Sequence, residues 1–343
     1  MGFSLPEPLT LSQMQKLAFC CGLSKTGPKS ALRQRIVDSV ADSRPLQPTA
    51  RILSIDMGIR NLAFSLLSPL AGPGVESTPI KRGHSSAASK AAQSTLPSLK
   101  TQAFAALHAW HRQDLLSVLD PTSTEPNDPD DAAEATTAAL LSDFSPASLS
   151  SVAVRLVRDQ LLSLNPTHIL IERQRYRSGG RASVLEWTLR VNSLESMLYA
   201  ALATLRDLGH WGGAVVPVEP SRATPFLLEQ AAGWLLAWEP AVRDPKTKAG
   251  RKRLKVEMLG ELLRAGDAVH LANARVYDTA RAFLALSSRG GERAKKKGDA
   301  NAPAIQLGKL DDLADSLLQG LVYMTWEANK TMLREKGVEG FLD

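Results

Sequence analysis

The sequence predicts an α/β protein in which a mixed β-sheet is covered by helices, preceded by a small helical unit. Three observations carry this. Short β-branched, apolar runs at residues 51–57 and 59–67 lead, and further runs at 168–172 and 214–218 alternate with helical stretches. That order suits a mixed sheet packed under helices. Two of the runs close on a carboxylate, Asp56 and Glu172, as buried strands do when they deliver an acid at their carboxyl end. Finally, an apolar helix over 310–329 opens on Asp311, Asp312 and Asp315.

Bulk properties set the bounds. With 343 residues, 44% of them hydrophobic, the chain can bury the core of one large domain and one small one. A formal charge of +6 favours a polyanionic partner without naming it. The two cysteines, Cys20 and Cys21, are adjacent, which excludes a disulfide framework and lacks zinc-site spacing. No run approaches the roughly 18 apolar residues of a bilayer span, so no membrane partner is expected. The start, Met-Gly-Phe-Ser-Leu-Pro, has neither a secretory apolar region nor an Arg-rich amphipathic presequence.

From the amino terminus, residues 9–17 read as a short helix with Thr10 or Ser12 able to cap it. A turn with two lysines follows at 22–29, then a second amphipathic helix at 30–40 and a linker at 45–50 carrying Pro45 and Pro48. The main domain is expected over 51–330, with residues 331–343 as a tail. Segments 51–57 and 59–67 meet at Met57-Gly58, a hairpin-like start. Stretches 69–100, 120–147 and 288–306 are rich in small, polar or charged residues and read as insertions. A third strand is expected near 101–111, and a helix at 148–164. Strand 168–172 precedes a long helix at about 182–208, and strand 214–218 precedes helices near 223–237, 252–265 and 272–287.

The acids carry the chemistry. Residues three and four apart share a helix face, so Asp315 lies beside both Asp311 and Asp312. Carboxylates gathered at one point repel one another unless cations neutralise them. Hard divalent ions take oxygen ligands, and two of them clamp a phosphodiester for in-line attack by water. The set therefore predicts a metal-dependent phosphodiesterase site. Read singly, each acid has a plainer explanation: Asp56 a turn, Glu172 a strand-end ion pair, and Asp311 and Asp312 helix N-terminal acids favoured by the macrodipole. The specific signal is their conjunction.

Taken together, Ile55-Asp-Met-Gly-Ile-Arg-Asn61, Ile171-Glu-Arg-Gln-Arg-Tyr-Arg177 and Asp311-Asp-Leu-Ala-Asp-Ser-Leu-Leu318 closely resemble the fungal mitochondrial Holliday-junction resolvases, RuvC-like members of the RNase H-like superfamily. The resemblance covers about residues 50–330. It implies an RNase H-like mixed sheet flanked by helices, and a homodimer in the mitochondrial matrix. Such a dimer binds a four-way DNA junction and nicks two strands symmetrically with Mg²⁺ or Mn²⁺, two ions per site and no small-molecule cofactor. Carried over by position, Asp56, Glu172 and Asp315 match catalytic acids. The remaining acid is Asp312 at a three-residue spacing, slightly favoured, or Asp311 at four. All five are candidate metal ligands.

Basic residues supply candidate phosphate contacts. Arg173, Arg175 and Arg177 alternate after Glu172, and guanidinium forks suit phosphate. Lys309 precedes the acidic pair. Cationic stretches run over 243–255, including Arg251, Lys252, Arg253 and Lys255, and over 289–297. Each also has a plain reading as a solvated surface. Residues 9–42 resemble a SAP motif through Leu17, Cys21-Gly22-Leu23, Gly27-Pro28-Lys29 and Leu32-Arg-Gln-Arg-Ile36. The resemblance makes Lys25, Lys29, Arg33 and Arg35 phosphate contacts; the plain reading is a helical hairpin packed on the main domain. Trp187 is expected in the core in preference to a dimer interface.

Three rival readings differ in testable ways. An actin-like or sugar-kinase ATPase also begins strand–Asp-x-Gly–strand, but needs a second Asp-bearing glycine loop that this chain lacks. A DNA-binding protein without catalysis would not need every acidic position filled. An RNase H-like nuclease acting on RNA–DNA hybrids or flaps shares the site and differs only in substrate.

Overall fold

A computed structural model describes residues 3–70, 104–115, 144–174, 186–234, 247–266, 268–287 and 309–342. Apart from their ends, the expected insertions at 69–100, 120–147 and 288–306 lie outside the described residues. So do Arg175, Arg177, Gly179, Gly180 and the basic stretch 289–297.

The chain opens with α1 (Leu11–Cys20) and α2 (Lys29–Asp42). Thr10, and not Ser12, caps α1. Its hydroxyl accepts from the Gln13 amide at 3.2 Å, while the Gln13 side chain accepts from the Thr10 amide at 2.8 Å. This reciprocal cap satisfies two donors that a helix start leaves open, and it moves the start from the expected residue 9 to Leu11.

β1 (Ile52–Asp56), β2 (Leu62–Pro69), β3 (Ala105–Gln113), β4 (His168–Glu172), β5 (Ala214–Val218) and β6 (Val269–Leu271) form one six-stranded sheet in the order β5-β4-β1-β2-β3-β6. β1, β2 and β3 run antiparallel in sequence; β4 pairs parallel with β1 and β5, and β6 parallel with β3. The mixed sheet expected from the sequence is present, with three differences. Residues 59–61 form a turn and not the start of β2: the Leu115 amide donates to the Ile59 carbonyl at 2.9 Å. β3 lies a few residues later than 101–111. β6 was not foreseen, because three residues are too few to display a period of two.

The helices follow the expected order: α3 (Pro146–Arg155), α4 (Glu186–Asp207), α5 (Pro220–Trp234), α6 (Lys248–Ala265), α7 (Ala274–Ser287), α8 (Leu310–Lys336) and α9 (Glu339–Leu342). A π turn over Leu156–Leu161 and a 3₁₀ turn over Leu162–Leu164 extend α3, so the expected helix at 148–164 is helical throughout. α8 continues past the expected end near 329.

Alternation along the strands divides the core in two. Leu53, Ile55, Ile169 and Ile171 pack with α3 and α4 on one face. Ile52, Leu67 and Leu170 pack with α5, α6, α7 and α8 on the other. By the same period, Ser54 and Asp56 on β1, and Glu172 on β4, point to the α8 face. α8 lies close on the sheet there. The Ser65 hydroxyl donates to the Ser316 carbonyl at 3.0 Å, and the Trp110 indole donates to the Leu313 carbonyl at 3.0 Å. Trp187 is not in the core: 41% of it is exposed, at the start of α4, edge-on to Phe144 with ring centroids 6.0 Å apart.

The N-terminal unit is seated on the far half of α8. Its core of Leu17, Leu32, Ile36 and Val40 includes Leu333 of α8 and Phe341 of α9, so the residues read as a tail complete it. Gly22 has φ +71°, and a Cβ there would lie 2.3 Å from the Trp326 ring, which is why the approach needs glycine. Asn329 donates to the Cys20 carbonyl at 2.7 Å, and the Ser43 hydroxyl donates to buried Glu327 at 2.9 Å.

Candidate active site

Register brings the strand acids together. Ile55 of β1 lies opposite Ile171 of β4, so one step further Asp56 lies beside Glu172 at the carboxyl ends of two parallel strands. Each carboxyl group acts directly on the titration of the other. Burial pushes the Asp56 pKa well above the usual carboxylate range, and the charges of Glu172, Asp315 and Asp312 push the same way. Burial also raises Glu172, while its interaction with Asp56 opposes the rise.

α8 supplies the other acids, each held by its own cation. Asp311 is bonded to Lys252 of α6. Asp315 meets Lys255, one turn further along α6, at 2.5 Å. Asp312 faces Arg112 of β3, with 3.6 Å between Oδ2 and Nε, too far for a hydrogen bond. Both of those atoms are buried without a hydrogen-bond partner. Arg112 is anchored by a bond to the Asn61 side-chain oxygen. Burial and the neighbouring Asp311 push Asp312 up to about 6. Asp315 is raised by burial, against the pull of Lys255. Asp311 is lowered: its own burial opposes this, but the bond and charge of Lys252 outweigh it.

The structure thus gathers Asp56, Glu172, Asp312 and Asp315 within electrostatic reach of one another, and turns Asp311 toward α6. Glu172, Lys255, Asp315 and Gln319 line a cleft between α5, α6 and α8. Among the described residues, no three His, Cys, Asp or Glu side chains converge tightly enough to hold a metal ion as they stand. The donor set still fits a hard divalent cation. It is all carboxylate oxygen, with one buried oxygen of Asp312 unpartnered and Asp56 and Glu172 sharing charge that a cation would neutralise.

Other expected contacts fall differently. Arg173 stands directly after β4, its amide donating to the Val218 carbonyl at 2.9 Å. Lys309 precedes α8 and is exposed. Arg253 is exposed and pairs with Glu257 at 2.8 Å, and Arg251 lies on the same first turns of α6. Arg33, expected at phosphate, donates to the Pro6 carbonyl at 3.3 Å and also to that of Leu5. Arg35 likewise donates to the carbonyls of Ser24 at 2.6 Å and Thr26 at 3.1 Å. Both hold the unit's own backbone. Lys25 lies 4.8 Å over the Phe19 ring, and Lys29 is exposed at the start of α2.

Sequence reading missed Arg112 and Gln319. The register pairs Asp56 with Ala63 and Ala63 with Arg112, which sets Asp56 and Arg112 in one row across three strands. Gln319 donates from α8 to Ser54 Oγ at 3.1 Å and to the Ile55 carbonyl at 3.2 Å, tying the helix to the strand that carries Asp56. Neither residue has a local signal, since each acquires its role only through pairing across elements.

A mixed sheet whose first strand, a later parallel strand and the final long helix bring carboxylates to one end defines an RNase H-like α/β protein. More narrowly, the chain belongs to the family described as mitochondrial resolvase Ydc2 / RNA splicing MRS1, whose model matches residues 52–333. It is 30% identical over 320 residues to the mitochondrial cruciform cutting endonuclease 1 of Schizosaccharomyces pombe, covering 93% of this chain and 92% of that one. The crystal structure of the yeast mitochondrial Holliday junction resolvase Ydc2 matches 98% of this chain and 100% of its own, with a TM-score of 0.57 and 26% identity.

Proposed function

We propose that this chain is a structure-selective endonuclease of the mitochondrial matrix. As a homodimer it binds four-way DNA junctions and resolves them by symmetric, divalent-metal-dependent hydrolysis during mitochondrial DNA recombination. The observation that carries this is the convergence of Asp56, Glu172, Asp312 and Asp315 at one end of the sheet. The names of its relatives supply the substrate. The family description also includes an RNA splicing protein, but a site with every acid in place, at the cost of mutual repulsion, favours hydrolysis over binding alone.

Asp56, Glu172, Asp312 and Asp315 would hold Mg²⁺ or Mn²⁺, two ions per site, while Asp311 stays with Lys252. When bound, the metal activates the attacking water and stabilises the leaving 3′ oxygen. The protein's part is positional. β1 and β4 fix two acids on a rigid sheet, Gln319 ties α8 to β1, and α8 presents the other two acids. Lys309, Arg173 and the exposed cations at the start of α6 would contact the phosphate backbone, with Lys25 and Lys29 on the SAP-like unit as a second contact. A two-fold dimer presents equivalent sites to equivalent strands, which suits a symmetric junction.

The test is incubation with a synthetic four-way junction, a matched duplex and an RNA–DNA hybrid, each with Mg²⁺ or with EDTA. Paired, symmetric nicks in the junction alone, abolished by EDTA, are expected. Cutting of the hybrid alone would move the substrate to RNA. Binding without cutting would withdraw the enzymatic reading.

A further inference from the structure

Two lysines of α6 and two aspartates of α8 face each other at matched spacings. Lys252 and Lys255 are three residues apart and share one helix face; Asp311 and Asp315, four apart, share another. Lys252 is bonded to Asp311, and Lys255 meets Asp315 at 2.5 Å. The environments differ. The Lys255 and Asp315 side chains are only 17% and 22% exposed, and both line the cleft with Glu172. Lys252 is 41% exposed, nearer the rim. Another cation on this part of α6, Arg253, is exposed and pairs within its own helix.

We propose that Lys252 and Lys255 form a cationic clasp that holds α6 to α8 in the metal-free enzyme, and that a divalent ion must displace Lys255 from Asp315 to load the site. This rests on the reading of Asp315 as a metal ligand. A protonated lysine and a metal ion compete for the same carboxylate oxygens, so the pair that steadies the empty site also opposes loading. Lys252 and Asp311 take a different part. Asp311 is bonded to Lys252 of α6, and this outer pair remains closed when the inner one opens and keeps the start of α6 beside the site. The inference therefore assigns Asp311 to the clasp and leaves Asp312 to the metal.

The experiment compares wild type, Lys255→Met, Lys252→Met and Arg253→Met. Met keeps an unbranched apolar stem and removes the charged head group with its donors. Calcium serves as a probe for binding by calorimetry, and thermal melting is followed in EDTA and in saturating Ca²⁺. Lys255→Met is expected to bind Ca²⁺ about tenfold more tightly, equivalent to about 1.4 kcal/mol. It should melt below wild type in EDTA and draw level in Ca²⁺. Lys252→Met should melt lower in both conditions with its Ca²⁺ affinity within about twofold of wild type, and Arg253→Met should match wild type in both readouts. Equal or weaker Ca²⁺ binding by Lys255→Met, with wild type binding normally, overturns the clasp. No Ca²⁺ binding by any form, including wild type, would instead remove the metal reading on which the clasp rests.

Discussion

Gly320 offers a direct test of how closely α8 must lie on the sheet. An added Cβ would stand 2.5 Å from Leu67 Cδ1 and 3.3 Å from Ser54 Cβ. Both neighbours are fully buried, so neither side chain has solvent to move into. Gly320→Ala therefore sets two effects against each other. Replacing glycine inside a helix contributes about 1 kcal/mol of stability. Overpacking a filled core costs about 1–3 kcal/mol. Ser54 Cβ is fixed in place by the backbone of β1, so the strain must fall on Leu67 or lift the helix, and overpacking wins. The expected net loss is about 1 kcal/mol, read as a lower urea midpoint with unchanged slope. Activity should fall further than stability. Asp315 lies about a turn and a half before Gly320, and a shift of about 1 Å in a catalytic group can cost a hundredfold in rate. The assay is single-turnover junction cutting in Mg²⁺ at a temperature where both proteins are folded. A variant as stable as wild type and cutting at the wild-type rate would refute the close seating of α8.

Further outcomes follow from the same contacts. Asp56→Asn should abolish cutting and leave junction binding within about twofold, since it removes a metal ligand and not a phosphate contact. In EDTA at neutral pH it should also unfold at higher urea than wild type, because burial and Glu172 both oppose the charged form of Asp56; a lower midpoint would show the acid to be structural. Replacing Lys25 and Lys29 together by alanine should reduce the slope of log affinity against log salt by about 2 for two lost phosphate contacts. Arg33→Ala should instead lower thermal stability, having lost the carbonyls of Leu5 and Pro6; an unchanged salt slope in the lysine variant would take the N-terminal unit out of the DNA interface. Burial holds His168 below its ordinary pKa of 6.5, with the charge of Glu327 opposing the shift. A group depressed on folding stabilises above its unfolded pKa and loses that contribution as pH falls through its folded value. Urea midpoints in Ca²⁺ between about pH 7 and pH 5 should therefore fall less for His168→Gln than for wild type; parallel profiles would show that His168 titrates as it does in the unfolded chain.

Much of the fold could be read locally because its signals are local. β4 and β5 were expected at their observed bounds, since a short β-branched run between polar flanks has one economical conformation. The start of α8 was equally clear, with three acids ahead of a long apolar face. β6 and the end of α8 were not. The first is too short for a pattern, and the second owes its length to packing against the N-terminal unit, whose core takes in Leu333. The arginines of that unit show the limit in reverse. The SAP resemblance implies that Arg33 and Arg35 are phosphate contacts, yet both side chains donate to backbone carbonyls of their own unit.

By itself, the sequence determined which carboxylates are available and in what order they reach the sheet and the final helix, because strand alternation and helix faces follow from residue spacing alone. Only the tertiary structure decided how they are partnered. The row joining Asp56 to Arg112, the tie from Gln319 to β1 and the pairing of Lys252 and Lys255 with Asp311 and Asp315 all depend on register and helix seating between segments far apart in the chain. Those contacts are set by the packing of whole elements, and residue spacing does not encode them.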